Sequence, residues 1–255
     1  MTGLEFEYEN EKDPENEFAI VRGSIASTLG DAITKGLNQR IEKQSPEGIE
    51  PEMNGMSALI IDQAGEESTQ NVEIDGHFFS VHISVAPLKP KTQEGPTGSD
   101  IAVFFEVRGR NDDRKAIASK TLLIQAKVGR INADKSISAG DRHLPKQIQQ
   151  IQRVSPNDGF LLIYTDKGAF CISLSEARKC LKGNTVRTKN YRNAGDMIFQ
   201  MVMCTAGNTQ HISPAILRPA RGRDGNLLIN DAAKKLARKA KTAPFKEAIG
   251  VSITL

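Results

Sequence analysis

Hydrophobic residues recur every four positions near the start of the chain, at Ile25, Leu29, Ile33, Leu37 and Ile41. This spacing predicts an amphipathic helix of about five turns. Residues 1–18 before it are acidic and poor in apolar side chains, so we expect an N-terminal arm there.

The following segments show patterns that are typical of strands. Residues 71–85 predict a hairpin around Asp75-Gly76, because the apolar positions of the second arm alternate. Two apolar runs at 101–105 and 121–124 predict neighbouring strands, and residues 160–173 predict a second hairpin with its turn at 165–168.

Helical patterns separate and follow these strands. Leu144, Gln147, Ile148 and Ile151 form a helical stripe, and further helices are expected at 175–181, 197–204 and in the basic stretch 231–241. This order predicts an α/β (α+β) layer fold with a mixed central sheet flanked by helices. We expect a single domain over 19–255, with its core at about 57–205 and a basic C-terminal extension at about 206–255.

Composition places the chain among soluble globular proteins. Its 255 residues are 38% hydrophobic and 25% charged, and no apolar stretch approaches the ~18 residues of a membrane span. The acidic N-terminus lacks the apolar segment of a secretory signal. Three cysteines without C-x-x-C spacing fit a reducing compartment, so we expect a cytoplasmic protein without membrane contact.

Charge is distributed unevenly along the chain. Residues 1–100 contain 7 Lys and Arg against 19 Asp and Glu, a net charge of −12, whereas residues 101–255 contain 27 against 12, a net charge of +15. A strongly basic segment suits a polyanionic substrate. The alternative is that the acidic half pairs with the basic half inside the fold.

Three polar residues at strand ends have the composition of a phosphodiesterase site. Asp100 stands where a loop becomes a strand, while Gln125 and Lys127 lie two residues apart and therefore on the same strand face. Carboxylate and amide oxygens bind hard cations such as Mg²⁺, and a lysine orients the attacking water or stabilises charge on phosphorus. Taken singly, Asp100 is also an ordinary turn residue and Lys127 an ordinary strand-end lysine.

Asp100, followed after 24 residues by Gln125-Ala126-Lys127, resembles the PD-(D/E)xK nuclease superfamily, which includes many restriction endonucleases. The wider pattern, from Glu94 through Asp100 to the second hairpin, is similar to a bacterial branch with E-x-x-x-G-A-D and Q-A-K motifs that includes anti-phage nucleases. The resemblance covers about residues 92–173. The chain departs from the usual pattern in having Gln125 for a glutamate and Ser99 for a proline.

The resemblance implies a restriction-endonuclease-like core and a role for each matching residue. Asp100 would be the principal ligand of Mg²⁺ (or Mn²⁺), with Gln125 and the backbone carbonyl of Ala126 as further ligands. Lys127 would be the catalytic lysine. Additional candidates, in an order that the sequence does not decide, are Glu94, Gln147 and an acid of the first helix, Glu42 or Asp31.

The implied activity is hydrolysis of DNA by an endonuclease of a bacterial restriction or anti-phage system. Cutting both strands of a duplex requires two sites, so a homodimer or a subunit of a defence complex is expected. Two alternatives to a DNA-cutting enzyme stay open. In the first, Gln125 marks a degenerate site, which leaves a nucleic-acid-binding or protein-binding module. In the second, the chain is an RNA-cutting toxin on the same fold.

Overall fold

The structure is a computed structural model that describes residues 14–43, 67–74, 76–87, 98–108, 116–155, 159–203, 220–221, 227–228 and 247–254. The helices of these segments are α1 (Pro14–Lys43), α2 (Leu144–Val154), α3 (Leu174–Lys179) and α4 (Asp196–Val202). The strands are β1 (Glu67–Ile74), β2 (His77–Pro87), β3 (Ile101–Arg108), β4 (Ala116–Ile131), β5 (Ile137–Gly140), β6 (Gly159–Thr165), β7 (Gly168–Ser173), β8 (Leu181–Lys182), β9 (Thr185–Thr188), β10 (Arg192–Asn193), β11 (Ala220–Arg221), β12 (Leu227–Leu228) and β13 (Glu247–Thr254).

One mixed, mostly antiparallel sheet contains eleven of these strands. Its main path runs β1-β2-β13-β3-β4-β5-β9-β8, while β6 pairs with β4 and β7, and β10 pairs with β7. The parallel pairs are β13 with β3 and β4 with β6. The 16-residue β4 pairs with β3 along its first part, with β6 in its middle and with β5 at its end, so it organises the sheet.

The sheet has a hydrophobic layer on each face because its strands alternate apolar side chains between the two sides. On one face, α1 and α4 pack against a cluster that includes Val103 and Phe105 of β3. On the other face, α2 and α3 pack against a second cluster that includes Ala102 and Phe104. The short strands β5 and β9, which continue the sheet beyond the end of β4, contribute Ile137, Ala139 and Val186 to this second cluster.

The predicted fold class is observed at the level of an α/β protein with a mixed sheet and flanking helices. The first helix is confirmed, although it begins at Pro14 and therefore includes the end of the expected arm. The hairpins at β1–β2 and β6–β7 and the helices α2, α3 and α4 are also confirmed.

Several strands are absent from the sequence-based predictions. The polar stretch after Lys127 contains β5, and β8, β9 and β10 are two to four residues long, which is too short to give a periodic signal. Residues 247–254, expected in a C-terminal extension, form β13 in the middle of the sheet between β2 and β3. The helix predicted at 231–241 lies outside the described residues.

Within the described segments, no helix is both long enough and apolar enough to cross a lipid bilayer.

Candidate active site at the junction of β3 and β4

The start of β3 lies beside the second half of β4. The backbone N–H of Asp100 donates to the carbonyl oxygen of Ile124 at 2.9 Å, and Ile101 is paired with the same residue. Residues two positions apart in a strand point to the same face, so Asp100 lies on the face of Ala102, and Gln125 and Lys127 lie on the face of Leu123. Ala102 and Leu123 pack in the cluster under α2. All three polar residues therefore lie on the sheet face that α2 covers. The pairing of two distant strands therefore brings the predicted residues together.

The Asp100 carboxylate is buried and tied to the neighbouring strand. Asp100 is 4% exposed, and its Oδ2 accepts a hydrogen bond from the backbone N–H of Ala126 at 3.0 Å. The same oxygen accepts from Nε2 of Gln125, which also donates to the carbonyl oxygen of Ala126 at 3.2 Å. The Gln125 amide thus contacts the other two expected ligand groups, the Asp100 carboxylate and the Ala126 carbonyl.

Three buried amide oxygens on β4 and α2 have no hydrogen-bond partner. They are Oε1 of Gln125, a fully buried residue, and Oε1 of Gln147 and Gln150 on α2. A buried acceptor without a donor is costly unless water or an ion satisfies it. The Asp100 carboxylate, Oε1 of Gln125 and the Ala126 carbonyl make a set of hard oxygen ligands whose chemistry fits Mg²⁺.

The charge of this set is low for a cation site. Among the described residues, no group of three or more His, Cys, Asp or Glu side chains is placed to hold a metal ion. A site built from one carboxylate and neutral oxygens binds a divalent cation more weakly than a site with two carboxylates, because ligand charge sets much of the affinity.

Lys127 forms an ion pair with Asp141, a residue that the sequence patterns did not single out. Its Nζ lies 2.5 Å from Oδ2 of Asp141, and the two side chains are 11% and 40% exposed. Partial burial disfavours the charged form of Asp141 and by itself would raise the pKa of its carboxyl. The hydrogen bonds from Lys127 and from the backbone N–H of His143, together with the charge of the lysine, outweigh burial. The pKa of the Asp141 carboxyl is therefore lowered. The missing signal was the β4–β5 hairpin, which returns the chain to Lys127.

The loop before Asp100 packs directly on α2. Gly98 has a φ of +70°, and a Cβ atom added there would lie 2.8 Å from both the carbonyl oxygen of Gln147 and Cβ of Gln150. Only glycine meets both the left-handed backbone and the close approach. Gly98 thus fixes the distance between the Asp100 loop and the helix that contains Gln147.

The expectation that an acid of the first helix completes the site is not met by the described contacts. Helix α1 packs on the opposite face of the sheet, where Glu42 is exposed near its C-terminal end. Asp31 lines a separate cleft of about 240 Å³ with Arg192 and Asp196. Both acids are therefore removed from the candidate ligands, because the sheet lies between α1 and Asp100. Glu94 lies outside the described residues.

Comparison with known proteins gives no relative from which a function could be transferred. No family model matches the chain, and neither a curated protein nor a solved structure matches it.

Proposed function

We propose that this chain is a metal-dependent nuclease of the PD-(D/E)xK type that hydrolyses DNA phosphodiester bonds by direct attack of water. The observation that supports this most is the contact between the Asp100 carboxylate and the Gln125 amide, with Lys127 two residues further along the same strand face. A restriction-endonuclease-like core around this site is part of the proposal.

The ligand groups for the metal come from both strands. Asp100, Oε1 of Gln125 and the carbonyl oxygen of Ala126 would hold Mg²⁺ or Mn²⁺, which supplies a polarised phosphate and a water of lowered pKa when bound. In the present arrangement the NH₂ group of Gln125 faces Asp100. Its amide must therefore turn to offer its oxygen beside the carboxylate. The turn breaks the two hydrogen bonds of the NH₂ group, a cost that the bound cation would have to offset.

Lys127 contributes positive charge rather than a base. Its ion pair with Asp141 contains the protonated ammonium, which has three N–H donors and no acceptor. An ammonium near a phosphate stabilises the negative charge that grows on the phosphorus oxygens as the water attacks. Lysine is suited to this task because its charge is compact and strongly localised.

The wider biology follows from the resemblance. We propose an endonuclease of a bacterial restriction or anti-phage system that acts on duplex DNA in the cytoplasm as a homodimer or as a subunit of a defence complex. The two scissile bonds of a duplex run in opposite directions, which a two-fold symmetric pair of sites matches.

Cleavage of supercoiled plasmid DNA with Mg²⁺ tests the proposal. Asp100→Asn removes the only carboxylate among the three proposed ligands, and Lys127→Met keeps the aliphatic stem while removing the charge. Each variant is expected to lower the cleavage rate by about 10²- to 10³-fold, the range found when one charge-stabilising group is removed.

An exposed ion pair elsewhere provides matched controls. In the β6–β7 turn, Nζ of Lys167 lies 3.3 Å from Oδ2 of Asp166, and both side chains are more than 60% exposed. Asp166→Asn and Lys167→Met make the same chemical changes as the two test variants and are expected to cut at the wild-type rate. Site variants that cut as fast as these controls would refute the assignment of the site.

A second candidate is a degenerate site that binds nucleic acid or protein without cutting. The observation in its favour is the low ligand charge, with Gln125 in place of a second carboxylate and no cluster of acidic, His or Cys ligands among the described residues. Salt-dependent DNA binding without cleavage in Mg²⁺ or Mn²⁺ would support this candidate. A panel of duplex DNA, single-stranded DNA and RNA separates both candidates from an RNA-cutting toxin.

A further inference from the structure

The ion pair of Lys127 with Asp141 follows from the register of a hairpin. In the antiparallel β4–β5 pair, Gly129 is opposite Ala139 and Ile131 is opposite Ile137. Extending this register by two residues places Lys127 opposite Asp141, where cross-strand side chains are in reach of each other. The 2.5 Å separation of Nζ and Oδ2 agrees with that placement.

The Asp141 carboxylate is held from both of its oxygens. Oδ1 accepts hydrogen bonds from the backbone N–H groups of His143, at 2.7 Å, and Leu144, at 3.0 Å, which begin helix α2. Oδ2 contacts Lys127. Leu144 itself is fully buried in the cluster under α2, so the helix start that orients Asp141 is fixed by the core.

A lysine requires such an anchor to act at one place. Its four-carbon stem has many rotamers of similar energy, and a site that needs the ammonium at one position must remove this freedom. One of the three N–H groups of the ammonium is directed at Asp141, which leaves the other two for a substrate oxygen or a water.

We propose that Asp141 is the positioning residue of the site, which holds the Lys127 ammonium beside the Asp100 cluster so that it is in place before the substrate binds. This inference rests on the proposed nuclease function. It adds a residue that acts through Lys127 and does not itself touch the DNA. It also gives α2 a double role, because the helix contains Gln147 and its first N–H groups orient Asp141.

The variant Asp141→Asn separates this role from the turn that precedes α2. Asparagine and aspartate side chains both accept backbone hydrogen bonds in such turns, so Oδ1 of the asparagine still accepts from His143 and Leu144 while the charge that holds Lys127 is lost. We expect kcat for plasmid cleavage to fall by about 10- to 100-fold, the range typical of groups that orient a site residue. KM for DNA is expected to stay within about threefold, since uniform binding is unchanged. Asp141→Glu, which restores the charge on a longer stem, is expected to recover part of kcat.

The control is Asp134→Asn in the same hairpin. Asp134 also forms an ion pair, with Arg187 at 3.0 Å, but it does not contact Lys127. The kcat of the Asp134→Asn variant is expected to equal that of the wild type. Asp141→Ser, whose hydroxyl also accepts turn hydrogen bonds but is too short to reach Lys127, serves if the asparagine variant does not fold. A folded Asn or Ser variant that retains the wild-type kcat would overturn the proposal.

Amine acylation followed by mass spectrometry tests the anchor without any cleavage assay. Lys127 is expected to react slowly in the wild type and several-fold faster in Asp141→Asn, with the exposed Lys167 as internal reference in both proteins. Equal acylation rates of Lys127 in the wild type and in Asp141→Asn would show that Asp141 does not hold the lysine. If the wild type labels as expected but cuts no DNA, the nuclease function fails while the anchor stands. If the wild type cuts and the variant cuts equally well, the positioning role fails alone.

Discussion

The side chain of Gln125 connects the two strands of the candidate site. Its NH₂ group donates to the Asp100 carboxylate and to the Ala126 carbonyl, while its oxygen is buried without a partner. A glutamate at this position would face Asp100 with like charge in the absence of a cation. Glutamine therefore stabilises the contact with Asp100, and the proposed site would attract a divalent ion less strongly than a site with a glutamate there.

Gln125→Glu is expected to destabilise the protein without a cation and to strengthen the binding of a divalent cation. With EDTA, two carboxylates in contact and the lost amide hydrogen bonds should lower the free energy of unfolding by about 1–3 kcal/mol. With saturating Mg²⁺ the variant should regain most of this stability, because a ligand that binds only the folded state stabilises it in proportion to its affinity. Urea unfolding of both proteins, with EDTA and with Mg²⁺, measures the effect.

The matched control is Gln149→Glu, at an exposed position of α2. It adds the same charge away from Asp100, and its stability should respond to Mg²⁺ as the wild type does. A Gln125→Glu protein whose stability is unaffected by Mg²⁺ would argue against a cation at these oxygens.

Helix α2 is the element that supports the site from outside the sheet. Its buried residues Leu144, Ile148 and Ile151 pack on the second cluster, and its backbone touches the Asp100 loop at Gly98. The proposed active-site geometry thus depends on the contact between a loop and a helix, as well as on the strands.

Gly98→Ala is expected to disturb this contact. The positive φ costs about 1–2 kcal/mol for any residue with a Cβ, and the overlap with Gln147 and Gln150 adds about 1–3 kcal/mol. We therefore expect a loss of about 2–5 kcal/mol in the free energy of unfolding, measured in urea, together with slower DNA cleavage.

Gly183→Ala separates the cost of the positive φ from the cost of the overlap with α2. Gly183 also has a positive φ, +57°, but a Cβ there would meet no atom within 4 Å. Its alanine variant should lose about 1–2 kcal/mol, the conformational part alone, and should leave cleavage unchanged. Equal losses for the two variants would mean that the Gly98 contact with α2 is unimportant.

At the scale of the whole molecule, positive charge is concentrated in the segments around the second hydrophobic cluster. Residues 129–155 and 174–190, which include α2, α3 and the short strands β5, β8 and β9, contain ten Lys and Arg and three Asp and Glu, a net charge of +7 (10 − 3). Residues 192–203 and the α1 segment 14–43, beside the first cluster, contain five of each, a net charge of zero. Of these described segments, the basic ones are those next to the candidate site.

This distribution predicts which face binds a polyanion. The large hydrophobic residues that are exposed among those described, Ile20, Phe78 and Phe199, lie outside these basic segments, so we do not expect base stacking to dominate there. Contacts with phosphates should dominate, and binding should depend strongly on salt and weakly on sequence. The double variant Arg142→Gln/Lys182→Gln is expected to bind duplex DNA more weakly, with a slope of log K against log salt that is smaller by about 2. Fluorescence anisotropy in EDTA measures this slope.

Lys35→Gln/Lys167→Gln removes the same charge elsewhere. Lys35 is exposed on α1, and Lys167 lies in the β6–β7 turn near Asn38 of that helix. This double variant should bind DNA with the wild-type slope. Equal changes in both double variants would indicate that charge alone, without a preferred face, governs binding.

Local patterns determined most of the elements of this protein. The four-residue spacing in α1, the Asp75-Gly76 turn and the apolar run of β6 each act over a few neighbouring residues, so periodicity and turn chemistry suffice to predict them. The common face of Gln125 and Lys127 is likewise a local property of a strand. The assignment of Asp100, Gln125 and Lys127 as a metal-dependent site is a prediction from the sequence that awaits the experiments above.

Tertiary structure decided how distant segments meet. The contact of Asp100 with Gln125 depends on the register of β3 on β4, and the pairing of Asp141 with Lys127 depends on the unforeseen strand β5. The insertion of β13 between β2 and β3 and the packing of α1, with Glu42, on the opposite face of the sheet have the same origin. Strand register and the choice of sheet face are set by the burial of side chains from the whole chain, which no short window of sequence contains.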